Sequence, residues 1–382
     1  MADKTFLNWP FFDDHHRTLS ETLEAWCEEN LPVSHDDADA ACIALARALG
    51  DAGFLLHSAV NPDKPGALDV RSLCLIREML ARYDGLADFA FAMQGLGTGA
   101  LSLFGTDEQR AWLNKTRKGE ALSAFALTEP KSGSDVANMD TSATLDGNHY
   151  VINGEKTWIS NGGIADVYTL FARSEEAAGA HGISAFIVPA DTLGLEIAER
   201  LDVIAPHPLA RLKFTEMRVP ASAMIGAPGE GFKIAMSVLD VFRSTVGAAA
   251  LGFARRALDE TVKRASEREL FGASLAELQL VQGHIADMAL DVDAAALLIY
   301  RAAWTKDMGA PRITREAAMA KLFATDRAQE VIDKAVQIHG GDGVRKGHIV
   351  ESLYREIRAL RIYEGASDVQ RIVIARQTTA LA

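Results

Sequence analysis

A glutamate beside a glycine lies near the C-terminal end of the chain, in Arg361-Ile-Tyr-Glu-Gly-Ala-Ser-Asp-Val-Gln-Arg371. Glu364 stands between apolar residues and a helix-like tail, so its carboxylate could be buried. Burial raises the pKa of a carboxylate, and a carboxylate with a pKa closer to neutrality is a better-matched general base. What Glu364 could do therefore depends on the other segments that lie beside it.

Two upstream segments contain residue types that suit a phosphate or a planar ring. The run Phe125-Ala-Leu-Thr-Glu-Pro-Lys-Ser-Gly-Ser-Asp-Val136 passes from apolar residues to hydroxyls and glycine, and such a loop can offer N–H and O–H groups to phosphate. In the run from Gly154 to Gly163, strand alternation places Trp158 and Ser160 on one side, where they could flank a ring. Taken singly, each segment also has an ordinary explanation, namely a turn entering a sheet and a core tryptophan.

Two segments of the C-terminal third could approach a phosphate-containing ligand. Arg268, in Glu267-Arg-Glu-Leu-Phe-Gly272, carries a guanidinium fork that suits pyrophosphate, although a solvated charge at a helix end is the alternative. The run Val336-Gln-Ile-His-Gly-Gly-Asp-Gly-Val344 has three glycines in four residues, which permit close backbone approach. A helix C-cap and turn would explain those glycines equally well.

Three other functional classes find no support in the motifs. Gly95-Leu-Gly-Thr-Gly-Ala100 matches a loose dinucleotide pattern, but it lies in a helical zone with no strand before it, so we do not predict a nicotinamide site. The ten histidines show no metal-binding spacing, and we predict no metal. A G-x-S-x-G elbow is absent from the sequence, which argues against a serine hydrolase.

Composition limits the partners and the compartment. The 382 residues are 48% hydrophobic, which is enough for a large core and predicts two or three domains. The net charge of −13, without a long basic block, argues against nucleic acid or a membrane surface as partner. Three cysteines without paired spacing fit a reducing compartment, and Met1 to Pro10 lacks a secretory-signal pattern. We therefore expect a cytoplasmic protein.

The chain contains three successive zones that differ in residue composition and in periodicity. Residues 1–120 are rich in Ala, Leu and charges at helical spacing and predict an N-terminal helical domain. Residues 121–232 contain closely spaced strand-like runs separated by Gly and Asn-Gly turns, which predict an antiparallel β-barrel or sandwich. In residues 233–382 the helical period returns, and Ile285, Met288, Val292, Ala295 and Ile299 mark one buried face of a long helix.

In this order and with these spacings, the motifs resemble those of the acyl-CoA dehydrogenase family, from about Leu101 to Arg376. The Thr-Glu-Pro-x-x-Gly-Ser-Asp and Tyr-Glu-Gly segments are the most specific parts. The resemblance implies a mainly α fold with an N-terminal helical domain, a middle β domain and a C-terminal four-helix bundle. It also implies non-covalent FAD, an acyl-CoA substrate, an electron-transfer flavoprotein as acceptor and a homotetramer built as a dimer of dimers.

The resemblance implies a role for each matching residue. The positions that would contact FAD are Phe125, Leu127, Thr128, Gly133, Ser134, Trp158, Ser160, Arg268, Phe271, Gln279, Gln337, Gly340, Gly341, Ala366 and Asp368, of which Arg268, Phe271, Gln279, Gln337, Gly340 and Gly341 would reach the FAD of a neighbouring subunit. The positions that would line the acyl-CoA site are Ser134, Asp240, Phe242, Arg243, Tyr363 and Gly365. Many members have Thr where this chain has Ala366, so a hydroxyl near the flavin is missing.

Glu364 matches the catalytic base of the family's commonest type. Other members carry the base on an earlier helix, and the corresponding residue here is Phe242, which cannot accept a proton. The implied reaction is removal of the α-proton by Glu364 and transfer of the β-hydrogen as hydride to flavin N5, giving a 2,3-enoyl-CoA in fatty acid or carboxylic acid catabolism. Bulky Phe242 would favour a short or compact acyl group.

Three alternatives remain open from the sequence. An acyl-CoA oxidase or monooxygenase would share the scaffold, although monooxygenase relatives tend to lack the glutamate. A desaturase for carrier-protein-bound acyl groups would also share it. A catalytically silent acyl-CoA-binding protein is a different class, and it would have no reason to retain Glu364.

Overall fold

The computed structural model describes residues 3–64, 66–174 and 177–380. The chain divides into two compact units, and each unit combines segments that are distant in sequence. We call Met1–Val33, Asp69–Asp88 and Asp240–Ala382 the helical unit, and Ser34–Leu68 with Phe89–Leu239 the sheet unit. The predicted domain limits at 120/121 and 232/233 stay predictions.

The helices and strands follow the predicted order of helical, β and helical zones. The helices are α1 (Asp14–Asn30), α2 (Ala38–Asp51), α3 (Val70–Tyr83), α4 (Gly85–Phe104), α5 (Ala111–Thr116), α6 (Gly231–Glu267), α7 (Gln279–Asp307), α8 (Thr314–His339), α9 (Ile349–Leu360) and α10 (Ser367–Thr379). The strands are β1 (Ser123–Ala126), β2 (Ser142–Asp146), β3 (His149–Ser160), β4 (Val167–Arg173), β5 (Ile183–Pro189), β6 (Leu195–Arg200), β7 (Leu209–Pro220), β8 (Met224–Ile225), β9 (Glu269–Leu270) and β10 (Ala273–Ser274).

The helical unit is organised around α8, which packs against α7, α9 and α10. Four of the five residues predicted for the buried face of α7, Met288, Val292, Ala295 and Ile299, are buried, and Ile285 is half-buried. The α6 backbone approaches α3 so closely at Gly252 that a Cβ there would lie 2.1 Å from the carbonyl oxygen of Glu78. This packing makes the C-terminal helices one bundle and fixes the elements that carry Glu364.

Helix α6 is also long and apolar enough to cross a membrane by length and composition alone. Its most apolar window is 89% buried inside the protein, which is typical of the core helix of a bundle. Among the described residues it is the one helix that meets these criteria. We assign it to the protein core.

The sheet unit contains one eight-stranded sheet in the order β6-β7-β3-β2-β4-β5-β8, with β1 paired to β4. Most neighbours are antiparallel, as the closely spaced strands predict. Two pairings depart from the antiparallel prediction, because β1 and the first residue of β2 both run parallel to β4. Strand β1 joins the sheet after α4 and α5, so its direction is set by that helical connection and not by a hairpin.

Strand β3 is irregular where it carries Trp158. Its register with β7 shifts between Lys156 and Ile159, and Trp158 has a φ of +59°. A bulge of this kind re-aims side chains at the edge of a site. Trp158 is 57% exposed although its neighbours Thr157 and Ile159 are buried.

A buried ion pair connects β3 to the loop after β1. The ammonium of Lys156, which is fully buried, donates to Glu129 Oε1 at 2.8 Å and to the Leu127 carbonyl at 3.0 Å. The Glu129 carboxylate also accepts from the backbone N–H groups of Asp140 and Thr141. Burial lowers the pKa of Lys156 to about 8 and would raise that of Glu129, but Lys156 and the N–H donors lower the Glu129 pKa below its usual value. Both groups are therefore charged at neutral pH.

We expect Lys156→Met to destabilise the protein strongly, because it leaves the Glu129 charge buried without its partner. Removing one member of a buried pair costs about 3–5 kcal/mol of unfolding free energy. The double variant Lys156→Met/Glu129→Gln should lose less, since Gln is neutral and still accepts the Thr141 N–H. Thermal midpoints by circular dichroism measure both losses.

The matched control is Lys213→Met, which removes an exposed lysine on the neighbouring strand β7. Its midpoint should stay close to wild type, as expected for an exposed surface change. A double variant that is as unstable as the sum of both single variants would show that the unpaired charge is not the cause.

Candidate active site

Glu364 lies in the turn between α9 and α10, within the helical unit. Its backbone is left-handed, with a φ of +52°, and Gly365 follows with a φ of +94°. The carboxylate oxygen Oε2 is buried and has no hydrogen-bond partner among the described residues. Burial raises the pKa of Glu364, although positive charges on Arg77, Lys321 and Arg243 oppose the rise. A buried, unpartnered carboxylate oxygen is the arrangement that a general base requires.

Arg77 on α3 is a buried cation that acts on Glu364. Its guanidinium makes a two-pronged ion pair with Asp88, with both N–O distances at 2.8 Å, and donates to Thr245 Oγ1 at 3.0 Å. Arg77 is 3% exposed, so this pairing satisfies a charge that water does not reach. The pair holds α3, α4 and α6 together around the turn that carries Glu364.

The predicted substrate residues of α6 are buried in the helical unit. Asp240 Oδ2 accepts from Arg312 Nε at 2.7 Å and from Thr314 Oγ1 at 2.8 Å, while its Oδ1 has no hydrogen bond among the described residues. Arg243 donates through Nε to the Glu364 carbonyl at 3.2 Å. Phe242 is 2% exposed and packs in the core. Arg243 thus contacts the backbone of the turn that carries Glu364, and it also lies within ion-pair distance of Asp240, with Nη1 3.8 Å from Oδ1.

The loop after β1 is held against β3 in the sheet unit. Besides the Lys156 bond to Leu127, the backbone N–H of Thr157 donates to the Thr128 carbonyl at 2.9 Å. This bond makes Thr128 a neighbour of the segment that carries Trp158 and the half-buried Ser160. The loop then becomes exposed at Gly133 and Ser134. Phe125, at the start of this segment, packs its ring 4.9 Å from that of Phe171.

Six predicted cofactor residues of the helical unit lie on its surface. The β9–β10 hairpin turns at Phe271 and Gly272, both with positive φ, and Phe271 is 94% exposed at its tip. The others are also exposed, namely Arg268, Gln279, Gln337, Gly340 and Gly341. A large aromatic ring held in a strained conformation in solvent suits a contact with another molecule.

The residues after Glu364 begin α10. Ala366 is the N-cap of the helix and has no side-chain oxygen to cap it. Ser367 donates to Asp326 at 2.7 Å, and Asp368 forms an exposed ion pair with Arg371 at 3.1 Å. Tyr363, which precedes Glu364, is 39% exposed. Ala366 therefore leaves α10 without a side-chain cap.

Each unit by itself carries residues that fit a part of FAD. In the sheet unit, exposed Trp158 and the loop at Thr128 offer an aromatic face and backbone groups to a ring system. A Cβ added at Gly133, Gly340 or Gly341 would meet no atom within 4 Å, so backbone there is open to a ligand. Arg268 supplies an exposed fork for phosphate. FAD-type binding is therefore compatible with the side chains present.

Four polar residues near these loops were not predicted from the sequence as functional residues. They are Arg77, Lys321 and Gln370 around Glu364, and Lys156 beneath Leu127. A weak signal existed for both lysines, because Lys321 shares the helical spacing of buried Ala317 and Ala324, and Lys156 shares the strand alternation of buried Ile152. Nothing in the sequence links them to the loops that they bind.

The structure also gathers Asp13, His15 and His16, whose potential ligand atoms lie within 4.8 Å of one another. Their atoms already have partners, since His16 Nδ1 accepts from the Asp13 N–H and both histidines contact Asp69 through Nε2 at 3.0–3.2 Å. Asp69 in turn caps α3 through the Ser72 N–H. Hydrogen bonding between α1 and α3 accounts for this cluster.

Comparison with known proteins identifies the family along nearly the whole chain. The acyl-CoA dehydrogenase N-terminal, middle and C-terminal domains match residues 13–120, 124–217 and 229–379. A probable acyl-CoA dehydrogenase, fadE25 of Mycobacterium leprae, is 38% identical over 96% of this chain and 97% of its own length.

Solved structures agree with this assignment. The butyryl-CoA dehydrogenase of Megasphaera elsdenii is 34% identical, covers 96% of this chain and 99% of its own, and superposes with a TM-score of 0.90. A chain from a structure of the electron transferring flavoprotein of Acidaminococcus fermentans, described in connection with flavin-based electron bifurcation, is 37% identical over 96% of this chain and 98% of its own, with a TM-score of 0.89. This chain therefore belongs to the acyl-CoA dehydrogenase family of FAD-dependent oxidoreductases.

Proposed function

We propose that this enzyme oxidises the α,β carbon–carbon single bond of an acyl-CoA thioester to a 2,3-enoyl-CoA, with Glu364 as the catalytic base. The observation that carries the assignment of the base is the buried Oε2 atom of Glu364, which has no hydrogen-bond partner among the described residues. The raised pKa of the group suits removal of a weakly acidic proton next to a thioester carbonyl.

The proposed chemistry divides between the protein and its cofactor. FAD, when bound, supplies the acceptor for the β-hydrogen and its electron pair. Glu364 Oε2 takes the α-proton, and the electrons of that C–H bond form the new double bond as the β-hydrogen leaves. Arg243 and Gln370 hold the Glu364 carbonyl, so the direction of the carboxylate does not depend on a flexible turn. Thr128, Trp158 and Ser160 would hold the flavin.

We propose a short acyl chain as substrate. Phe242 fills the α6 position next to Arg243 with a large buried ring, which leaves less room than a smaller side chain would. The similar chain from Megasphaera elsdenii is a butyryl-CoA dehydrogenase. Butyryl-CoA is therefore the first substrate to test, followed by branched, cyclic and long-chain CoA esters.

An electron-transfer flavoprotein is the proposed acceptor. Its support is the likeness to the chain from the Acidaminococcus fermentans flavoprotein study. Peroxide release during turnover would instead favour an acyl-CoA oxidase, and inactivity toward every free CoA ester would favour a carrier-protein desaturase. A cytoplasmic location is part of the same proposal.

The assembly that we propose is a homotetramer built as a dimer of dimers. Leu290, Leu297 and Trp304 recur every seven residues on α7 and are 70%, 46% and 37% exposed. Such spacing places them on one helix face, and an exposed apolar stripe of this kind marks an interface with another chain. Contact with a second copy would also bring Arg268, Phe271 and Gln337 toward the cofactor of that copy.

We expect Glu364→Gln to bind FAD and remain yellow but to lose flavin bleaching by butyryl-CoA under anaerobic conditions. Gln has the same shape but cannot take a proton, and loss of a general base slows a reaction by about 10²–10⁴-fold. Glu364→Asp keeps the base but shortens its reach, so it should bleach about 10²-fold more slowly than wild type. Stopped-flow absorbance of the flavin measures these rates.

The control for these variants is Glu196→Gln, which changes an exposed carboxylate on β6 and should bleach at the wild-type rate. Full bleaching of the Glu364→Gln flavin at the wild-type rate would contradict the assignment of Glu364 as the base.

We expect the double variant Leu290→Glu/Leu297→Glu to form smaller assemblies than wild type and to retain less FAD. Each leucine contributes about 1.5–3 kcal/mol when its side chain is buried, and a buried glutamate would add an unfavourable charge. Size-exclusion chromatography with light scattering gives the mass, and flavin absorbance gives the FAD content. Leu193→Glu, at a 92% exposed site in the sheet unit, should change neither value. A tetrameric double variant with full FAD would contradict the proposed interface.

A further inference from the structure

The turn that carries Glu364 is held in an uncommon backbone conformation. Glu364 and Gly365 are both left-handed, and for a residue with a side chain this costs about 1–2 kcal/mol. A Cβ at Gly365 would lie 2.3 Å from Gln370 Nε2, so a larger residue there would displace the Gln370 amide from the turn. A strained turn of this kind persists only where the surroundings fix it.

Three side chains from three helices fix the two carbonyl groups of the turn. Arg243 on α6 and Gln370 on α10 each donate to the Glu364 carbonyl at 3.2 Å. Gln370 also donates to the Gly365 carbonyl at 2.9 Å, and Lys321 on α8 donates to that carbonyl at 2.8 Å. Each carbonyl of the turn thus accepts two hydrogen bonds.

Lys321 is unusual among these three side chains because its ammonium is fully buried without a paired carboxylate. The residue has no exposed surface, and no ion pair within 4.0 Å joins it to another described residue. Its one hydrogen bond in the described part of the chain is to the Gly365 carbonyl. An unpaired buried ammonium is expensive, so a neutral side chain would serve better if packing alone were at stake.

The charge of Lys321 acts mainly on Glu364. Burial lowers the pKa of Lys321 to about 8, and the strongest influence opposing that decrease is the negative charge of Glu364. In the other direction, Lys321 is among the cations that oppose the rise of the Glu364 pKa. The remaining charged groups that face one or both of them are Arg77 on α3, Asp88 on α4, Arg243 on α6, Asp326 on α8 and Arg361 just after α9.

Taking the proposed function as its basis, we infer that Lys321 is a positioning residue for the base. Its ammonium fixes the Gly365 carbonyl and so the direction of Glu364, and its charge favours the ionised carboxylate that accepts the proton. Lys321 need not touch the substrate, because it acts through the backbone and the field of its charge.

This role predicts a particular pH dependence. The base must be ionised, so the rate falls on the acid side as Glu364 takes up a proton. Without the cation, the pKa of Glu364 rises, and the acid limb moves to higher pH. Above about pH 8 the wild-type enzyme also loses the Lys321 charge, whereas an arginine there would stay charged.

The decisive experiment measures single-turnover flavin reduction by butyryl-CoA from pH 5.5 to 9 in FAD-loaded wild type, Lys321→Met and Lys321→Arg. Lys321→Met should move the acid limb upward by about 1 pH unit and slow reduction at neutral pH about 10-fold. Its apparent affinity for butyryl-CoA should change much less than its rate. Lys321→Arg should return the acid limb to its wild-type pH. Its reduction rate should not show the change near pH 8 that loss of the Lys321 charge causes in wild type. Lys334→Met, a half-buried lysine on the same helix paired with Asp287, should match wild type.

If Lys321→Met reduces the flavin more slowly by the same factor at every pH, or if its acid limb does not move, the inference is overturned. If Lys321→Met does not fold, Lys321→Arg decides alone, and persistence of the wild-type change near pH 8 in that variant counts against the role of Lys321. A wild-type enzyme that no CoA ester can reduce overturns the proposed function instead.

A second readout does not require turnover. Because the folded-state pKa of Glu364 is raised, its contribution to stability is complete below the usual carboxyl pKa and is lost as pH rises through the raised value. The thermal midpoint of Glu364→Gln should therefore increase relative to that of wild type as pH rises. This gain at pH 8 should be larger when Lys321→Met is also present, and an equal gain in both backgrounds contradicts the charge coupling.

Discussion

The Oε2 atom of Glu364, buried without a hydrogen bond among the described residues, is the feature around which the cations of the helical unit are arranged. Burial of a charge is unfavourable by several kcal/mol unless opposite charges or donors compensate it. Here the compensation is spread over Arg77, Arg243 and Lys321, none of which makes a close ion pair with Glu364. The carboxylate stays accessible to a proton because its neighbours act at a distance and through its backbone. A direct salt bridge would stabilise the charge more and remove the acceptor that the proposed chemistry requires.

This arrangement explains why the surrounding cations are themselves buried and held in place. Arg77 donates to Asp88 and Thr245, and Arg243 donates to the Glu364 carbonyl, so both guanidinium groups are engaged with atoms other than Oε2. The helices that supply them are packed with so little space that Gly252 of α6 lies against the α3 backbone. Close helix packing is therefore a condition for the electrostatics of the site, and not only for the stability of the fold.

The sequence predicted the fold class well because its signals were periodic and local. The buried face of α7 and the helical position of Gly95 to Ala100, which excluded a dinucleotide loop there, are confirmed. The two parallel pairings with β4 were not predictable, since they depend on where β1 returns to the sheet after two helices. The bulge at Trp158 was likewise invisible, because strand alternation assumes a regular register.

Candidate site residues could be proposed from the sequence only where motifs are contiguous. Glu364 and the loop from Phe125 to Ser134 are readable as runs of residues, whereas Lys321 lies 44 residues from the carbonyl it binds and Lys156 lies 29 from its own. A buried lysine in a helix or strand looks like an irregularity of the hydrophobic pattern. Its meaning depends on a partner that periodicity cannot specify.

The two buried lysines solve the same physical problem in different units. A functional loop contains carbonyl groups that no helix or strand pairs, and buried carbonyls need donors. Lys156 reaches the Leu127 carbonyl from β3, and Lys321 reaches the Gly365 carbonyl from α8. Lysine suits both places, because a single carbonyl cannot satisfy the five donors of arginine and a flexible stem can reach it from a rigid element. Side chains on rigid helices and strands thereby fix the positions of the loops, while the residues proposed for the chemistry lie in the loops themselves.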